Sequence, residues 1–211
     1  MVYRKTARSE KARAATRDAL LAAAARLIRA HGYDGATMQD VVAEAGTSIG
    51  NVYFYFRNKD ELFGETIRRA IDARWDASER LMEGTPVGPK RIAVVMYANI
   101  TATLGQDVNV ARAITEALDR MSHLREESLK RWRAILAECC PGLTEDELVA
   151  TAIWGGNRTQ GERLLDGSLA RPIAEIASFA VRWNLRALRF SDAEIEGALR
   201  YARRRVGAAS A

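Results

Sequence analysis

The sequence predicts an all-helical fold, and three observations predict it. Apolar residues recur at the i, i+3, i+4, i+7 spacing of a helical face in one segment after another. Only four prolines interrupt a 211-residue chain rich in alanine, leucine and arginine, residues that favour helix. The interruptions that do occur are glycine or proline turns between the periodic segments. A chain of this length buries a substantial core, and its 48% hydrophobic and 28% charged residues are ordinary for a globular protein. The formal net charge of +5 is compatible with a polyanionic partner without identifying one. No apolar run approaches the ~18–20 residues of a membrane span, and MVYRKTARSEK lacks the apolar core of a signal peptide. The expectation is a cytoplasmic protein.

The first helix is expected over residues 16–30, where Leu20, Ala24, Leu27 and Ile28 fall on one stripe and Gly32 ends it. His31 then sits favourably beside the negative end of the helix dipole. Two short helices follow in residues 37–62, TMQDVVAEAGTSIGNVYFYFRNKDEL. Met38, Val41, Val42 and Ala45 face one way; Thr37 is placed as the cap and Asp40 as the capping-box acid. Gly46 can take the left-handed conformation that ends a helix, and Ser48 can cap another two residues later. That geometry is a helix-turn-helix, whose second helix lies in the DNA major groove.

On this second helix Val52 and Phe56, four apart, face the core. Thr47, Ser48, Ile49, Gly50 and Asn51 surround its N-terminus, small or hydrogen-bonding groups able to approach base edges. Tyr53 and Tyr55 carry hydroxyls for phosphate oxygens, and Lys59 adds a charge beyond them. Upstream, residues 1–15 carry Arg4, Lys5, Arg8, Lys11 and Arg13 against Glu10 alone. They read as a frayed, solvated tail or as a basic arm that follows the DNA backbone or minor groove.

The stretch resembles the DNA-binding module of the TetR family of bacterial transcription regulators. That module has a threonine before its second helix, an Ala-Gly turn and a Ser-x-Gly-x-x-Tyr-x-x-Phe-x-x-Lys-x-x-Leu run. Those positions stand here as Thr37, Ala45-Gly46, Ser48, Gly50, Tyr53, Phe56, Lys59 and Leu62. Val42 stands where the family often has alanine, and Thr47 where it commonly has valine. The resemblance implies a three-helix DNA-binding module over residues 1–58, with Thr37 in its DNA-facing set. It further implies a helical effector-binding and dimerisation domain over residues 59–211, and a homodimer on a pseudo-palindromic operator. A repressor released by an unidentified small-molecule effector is the implied function.

Downstream, Phe63, Ile67, Ala70, Ile71, Trp75 and Ser78 mark the inner face of a long helix over residues 59–82. In the family this helix couples the reading head to the regulatory domain. After the GTPVGP break, Ile92, Val95, Met96, Asn99, Ile100 and Thr103 line one side of the next helix, which Gly105 ends. Val108, Ala111, Ile114, Leu118 and Met121 make another stripe, and residues 124–140 a third with Trp132, Ile135 and Leu136 inward. Pro141-Gly142 stops it. Thr144 with Glu147 reads as a capping box opening a helix to residue 165. Asp166-Gly167 ends that one, and Pro172 suits a first helical turn. Ser191 with Glu194 opens a final short helix, after which Arg203, Arg204 and Arg205 read as a solvated tail.

The helix over residues 172–188 is apolar beyond one stripe. Ile173, Ile176, Ala177, Ala180, Val181 and Leu188 form one face, and Phe179, Trp183 and Ala187 widen it. Such a helix must be covered on more than one side. The preceding helix clusters Ala152, Ile153, Trp154, Gly155 and Gly156; mid-helix glycines cost roughly 1 kcal/mol each, which close backbone approach would explain. The expected homodimer therefore pairs these two helices with their copies through Ile153, Gly156, Ile176, Phe179, Ala180, Trp183 and Ala187. A thick monomer core is the alternative.

The effector pocket that the family implies belongs in the second domain. Pockets are mostly apolar with a few orienting polar groups. Asn99 and Thr103 interrupt an apolar stripe, and Tyr97, Trp132 and Trp154 add aromatic walls. Trp75, Met96, Ile100, Ile114 and Leu118 complete the expected lining. An asparagine on such a stripe is also what a core with a satisfied amide looks like. No catalytic triad order, metal-ligand cluster or phosphate-cradling glycine loop marks an enzyme, and no metal or cofactor is expected. Cys139 and Cys140 lack zinc spacing, and a disulfide between neighbours is strained. Reduced thiols are expected, with a thiol-responsive regulator as one alternative. An all-helical interaction protein without DNA binding is the other, and it leaves Tyr53, Tyr55 and Lys59 without a shared purpose.

Overall fold

The computed structural model describes residues 7–209, with side chains from residue 10 onward, as ten α-helices and no strand. It divides into two units, residues 1–70 and 71–211. The sequence reading placed the division earlier, before Lys59.

The first unit holds α1 (Ala7–Gly35), α2 (Met38–Ala45), α3 (Ile49–Tyr55) and the opening turns of α4 (Lys59–Met82). Leu20, Ala24, Leu27 and Ile28 are buried with Val41, Val52, Phe56 and Phe63 as its core. α1 starts well before residue 16, because ARSEKARAAT contains no helix breaker. Thr16, which could have capped a helix, instead donates back to the Ala12 carbonyl at 3.0 Å. Lys11 and Arg13 therefore stand on a helix and not in a frayed tail. Arg4 and Lys5 lie outside the described residues, as does the side chain of Arg8. A kink at Gly32 (φ 73°) marks the break foreseen there.

Glu65 fastens α4 to α1, accepting from Arg17 at 3.1 Å and from Arg68 at 3.0 Å. Burial opposes ionisation of Glu65, but the hydrogen bonds from Arg68 and Arg17 outweigh it and hold the carboxyl below its usual range. Tyr33 adds a 2.6 Å hydrogen bond to Asp60 and packs edge-on against Phe63.

The second unit holds the rest of α4 with α5 (Pro89–Leu104), α6 (Val108–Arg120), α7 (Ser122–Cys139), α8 (Asp146–Leu165), α9 (Ile173–Ala187) and α10 (Asp192–Ala209). α5 is its centre. Every residue from 92 to 98 is buried, because α6, α7, α9 and α10 all pack against it. The one-sided stripe read from the sequence was too narrow: small and β-branched residues fill the remaining faces, so these middle turns can be enclosed.

Two expectations for the helix ends need correction. No Thr144–Glu147 capping box forms; α8 opens after Glu145 without a side-chain cap. The last helix is not short, since α10 runs 18 residues, and its arginines dock where a free tail was expected. Arg203 donates to the Ser178 hydroxyl at 2.7 Å, and Arg205 to the Leu81 and Glu83 carbonyls. At the start of α10 the box is present: Ser191 donates to Glu194 through both its amide and its hydroxyl, and the Glu194 amide donates back. Urea unfolding of the whole chain should separate these two sequence patterns. Ser191→Ala is expected to cost about 1 kcal/mol, the usual value of a lost cap. Thr144→Ala should stay within ~0.5 kcal/mol of wild type, as a surface substitution without such a role does.

Candidate nucleic-acid interface and ligand cavity

The turn between α2 and α3 is built as the sequence suggests. Thr37 and Asp40 form a complete capping box, and Gly46 ends α2 at φ 62°, ψ 39°. That is left-handed backbone, which a side chain at Gly46 would strain. The Gly46 and Thr47 amides donate to the Ala43 and Val42 carbonyls, closing the last turn of α2. The Ser48 hydroxyl then accepts from the Asn51 amide at 3.2 Å to open α3.

Val52 and Phe56 are fully buried and anchor α3 from beneath. This turns its leading end outward: Ser48, Ile49 and Gly50 are exposed, and a Cβ at Gly50 would meet nothing. Tyr53 is 51% and Phe54 63% exposed. Asn51 donates through Nδ2 to the Thr47 hydroxyl at 2.8 Å, so these two side chains are already fixed relative to one another. Tyr55 is half-buried with its ring edge-on to Phe54.

Thr37 and Lys59, also expected to face DNA, are likewise engaged within the chain. The Thr37 hydroxyl both donates to and accepts from Asp40, so the cap uses it in both roles. The Lys59 ammonium donates to the Asp34 carbonyl at 3.2 Å and lies over the rings of Tyr33 and Phe63. As the first residue of α4, its charge sits at the positive end of that dipole, and the carbonyl and ring faces offset this. The Lys59 charge is thus tied into the fold. Phe54 was overlooked, although it lies off the Val52–Phe56 face; the Arg13 guanidinium covers its ring at 5.3 Å.

Residues 20–66, which contain this whole arrangement, match the family model of bacterial regulatory proteins, tetR family. Over that segment the chain is similar to the TetR family. It is 40% identical over 80 residues to the HTH-type transcriptional regulator BetI of Agrobacterium fabrum, covering 37% of this chain and 39% of that protein. The chain thus matches well under half the length of that relative. A longer match, 26% identical over 180 residues, reaches the HTH-type transcriptional regulator HbdR of Aromatoleum sp. strain CIB, covering 83% of this chain and 72% of the other. Among solved structures, the transcriptional regulator FadR from Bacillus subtilis in complex with stearoyl-CoA superposes with a TM-score of 0.62 at 17% identity. It covers 79% of this chain and 96% of that one. At that identity the likeness is one of fold alone.

The second unit holds a half-open cavity of about 120 Å³ between α4, α5, α6, α7 and α8. Trp75, Met96, Asn99, Ile100, Thr103, Ile114, Leu118, Trp132 and Trp154 line it. Tyr97 does not: it follows Met96 by one residue and so points about 100° away from the Met96–Thr103 stripe. The sequence reading missed the polar members of the lining, above all Arg74 and Ser128. A signal existed for both. Arg74 falls on the same stripe as Ile71, Trp75 and Ser78, and Ser128 on that of Leu124, Trp132 and Ile135.

Arg74 donates through Nε to Asn99 Oδ1 at 3.1 Å and through Nη1 to the Thr103 hydroxyl at 2.9 Å. Asn99 in turn donates to the Ser78 hydroxyl and the Val95 carbonyl. Burial, with the nearby charge of Arg131, pushes the Arg74 guanidinium down to about 10, so it remains cationic at neutral pH. Beside it, Trp75 and Trp132 meet edge-to-face at 5.8 Å. The Trp75 indole nitrogen and the Ser128 hydroxyl are buried without a hydrogen-bond partner.

The dimer residues divide by face. Ile153, Ile176 and Ala180 are buried inside their own chain, so they are corrected from interface to core; the Ile176–Ala180 stripe of α9 is the one turned to α5 and α10. Phe179 and Trp183, stacked at 6.2 Å, lie outward with Ala187. Gly156 is exposed, and neither it nor Gly155 has any atom where a Cβ would sit. The close approach that would explain the glycine pair therefore does not occur within the chain.

Cys139 and Cys140 are both free thiols. Burial pushes each thiol above its ordinary range, and the neighbouring Cys139 raises Cys140 further. A raised thiol is protonated and poorly nucleophilic at neutral pH. Reaction with an aromatic disulfide reagent at pH 7.5 should accordingly run at least about tenfold slower in the native chain than after denaturation. The native rate should climb only as pH passes the ordinary cysteine range. Native labelling as fast as the denatured rate would restore a sensing role for these thiols.

Proposed function

We propose that the chain is a homodimeric, sequence-specific, DNA-binding transcriptional regulator, a cytoplasmic repressor that a small-molecule effector releases from its operator. It acts by binding and carries out no catalysis. The observation that carries this reading is the exposed leading end of α3, held outward by the burial of Val52 and Phe56 in a TetR-family module. Thr47, Ser48, Ile49, Gly50 and Asn51 would meet base edges. The Tyr53 and Tyr55 hydroxyls would meet phosphates, with exposed Lys11, Arg13 and Arg57 supplying the charge that Lys59 commits to the fold.

A repressor of this kind reads two half-sites about 34 Å apart on one face of the duplex, which needs two heads. The exposed Phe179, Trp183 and Ala187 on α9, with the Gly155–Gly156 surface on α8, are the face through which two copies would pair. Large aromatics left outside on one helix face mark an association surface. For the effector, support comes from the cavity of the second unit and from FadR of Bacillus subtilis, solved with stearoyl-CoA bound. No helix among the described residues is long and apolar enough to cross a membrane.

Fragments selected from genomic DNA provide the test. Binding to them should fall steeply with salt, since phosphate contacts release counterions. Tyr53→Phe should weaken binding to every sequence by about tenfold, the worth of one hydrogen bond to a charged group. Ile49→Ala and Asn51→Ala should instead change which sequences are preferred. Equal losses on all sequences from both groups would contradict this division of labour. By sedimentation, Trp183→Glu should convert a wild-type dimer to monomer; a dimer that survives it would move the interface elsewhere.

A further inference from the structure

We infer that the cavity of the second unit takes a small organic monoanion, its carboxylate set against Arg74 and its apolar body between the tryptophans. The inference rests on the effector reading above and specifies the chemistry of that ligand.

The charges come first. Arg74 and Arg158 are the only charged residues that line the cavity, and no carboxylate lines it. Arg158 is neutralised by Asp119 and Glu162 and lies over the Trp154 ring. The neighbouring Arg131 is paired with Asp72 at 2.8 Å. Arg74 has only the neutral oxygens of Asn99 and Thr103, and its Nη2 makes no hydrogen bond among the described residues. A half-buried cation with no counter-ion of its own gains from an anion that completes it. A carboxylate does so in the bidentate geometry a guanidinium fork prefers.

The other walls fix the rest of the ligand. Ser128 is buried with an unpartnered hydroxyl, and Trp75 with an unpartnered indole N–H, both at the cavity. Buried donors of this kind find a partner in almost every native protein, and a ligand oxygen would serve. Trp75, Trp132 and Trp154, with Met96, Ile100 and Ile114, leave an apolar remainder suited to a ring or short branched chain. A half-open volume of about 120 Å³ has room for on the order of ten water-sized groups, enough for a small ring acid of about ten non-hydrogen atoms. A bare inorganic anion would satisfy Arg74 but leave those walls facing empty space.

The test titrates the full chain, without DNA, with benzoate, phenylacetate and indole-3-acetate. Each is paired with its uncharged amide, and inorganic phosphate is run alongside. Tryptophan fluorescence and melting temperature are the readouts. At least one of the acids should quench saturably and raise the melting temperature, while its amide binds at least tenfold more weakly. Arg74→Gln should lose at least tenfold in affinity for that acid, with Arg74→Lys between the two. Amide binding as tight as acid, phosphate binding as tight as the best acid, no binding by any of the acids, or full affinity in Arg74→Gln would each overturn the inference. The acid-against-amide comparison uses the wild-type chain and does not depend on any variant folding. A wild-type chain that binds selected DNA but none of the acids refutes only this inference. One that binds an acid but no DNA refutes only the regulator reading.

Discussion

Seven residues are too few to hold a helix in water, where isolated helices shorter than about 12–15 residues are marginal. Yet α3 has seven, and its exposed end is the feature on which the functional account depends. It persists because Val52 and Phe56 are wholly buried and because Ser48 and the Gly46 turn satisfy the backbone groups at its start. Arg17 adds a cation over the Phe56 ring at 4.9 Å while it pairs with Glu65. Core packing, capping and ion pairing in the first unit thus converge on holding one short helix in place. The residues left over for recognition are those that the packing does not use.

The second unit solves a different problem. The middle of α5, residues 92–98, is enclosed on all sides, and such a core tolerates polar groups only when they are paired. Asn184 obeys this rule, donating to the Ala180 carbonyl and to the Met96 sulfur. Ser128 and Trp75 depart from it at the cavity, beside an Arg74 that has no counter-ion, while Arg131 Nη1 and Gln160 Oε1 depart from it outside the cavity lining. Two unpartnered donors beside a cation without a counter-ion are a mark of a site prepared for something else.

Much of this was legible in the sequence because it is local. Caps, the Gly46 turn and helix faces depend on residues within a few positions of one another, so the helix-turn-helix and the bounds of α4 could be read directly. Most of the cavity lining was legible too, since Asn99 and Thr103 interrupt a stripe that is otherwise apolar. What escaped depends on packing between distant segments. Enclosure of the middle of α5, docking of Arg203 and Arg205, and burial of Ile153, Ile176 and Ala180 are all set by partners far away in the chain. Lys59 is instructive. Its position fits the family pattern, but only the fold shows its ammonium against the Asp34 carbonyl and two rings. Thr144 has the residues of a capping box, yet α8 begins at Asp146 with Glu145 in the cap position and no side-chain cap.

Hydrogen exchange of the backbone amides of residues 47–55, followed with and without a selected DNA fragment, tests the central claim most directly. The account predicts that bound DNA slows exchange there more than in any other segment of the first unit, because the leading end of α3 becomes covered. DNA bound tightly with these amides exchanging at their free rate, and protection confined to other segments, would contradict it.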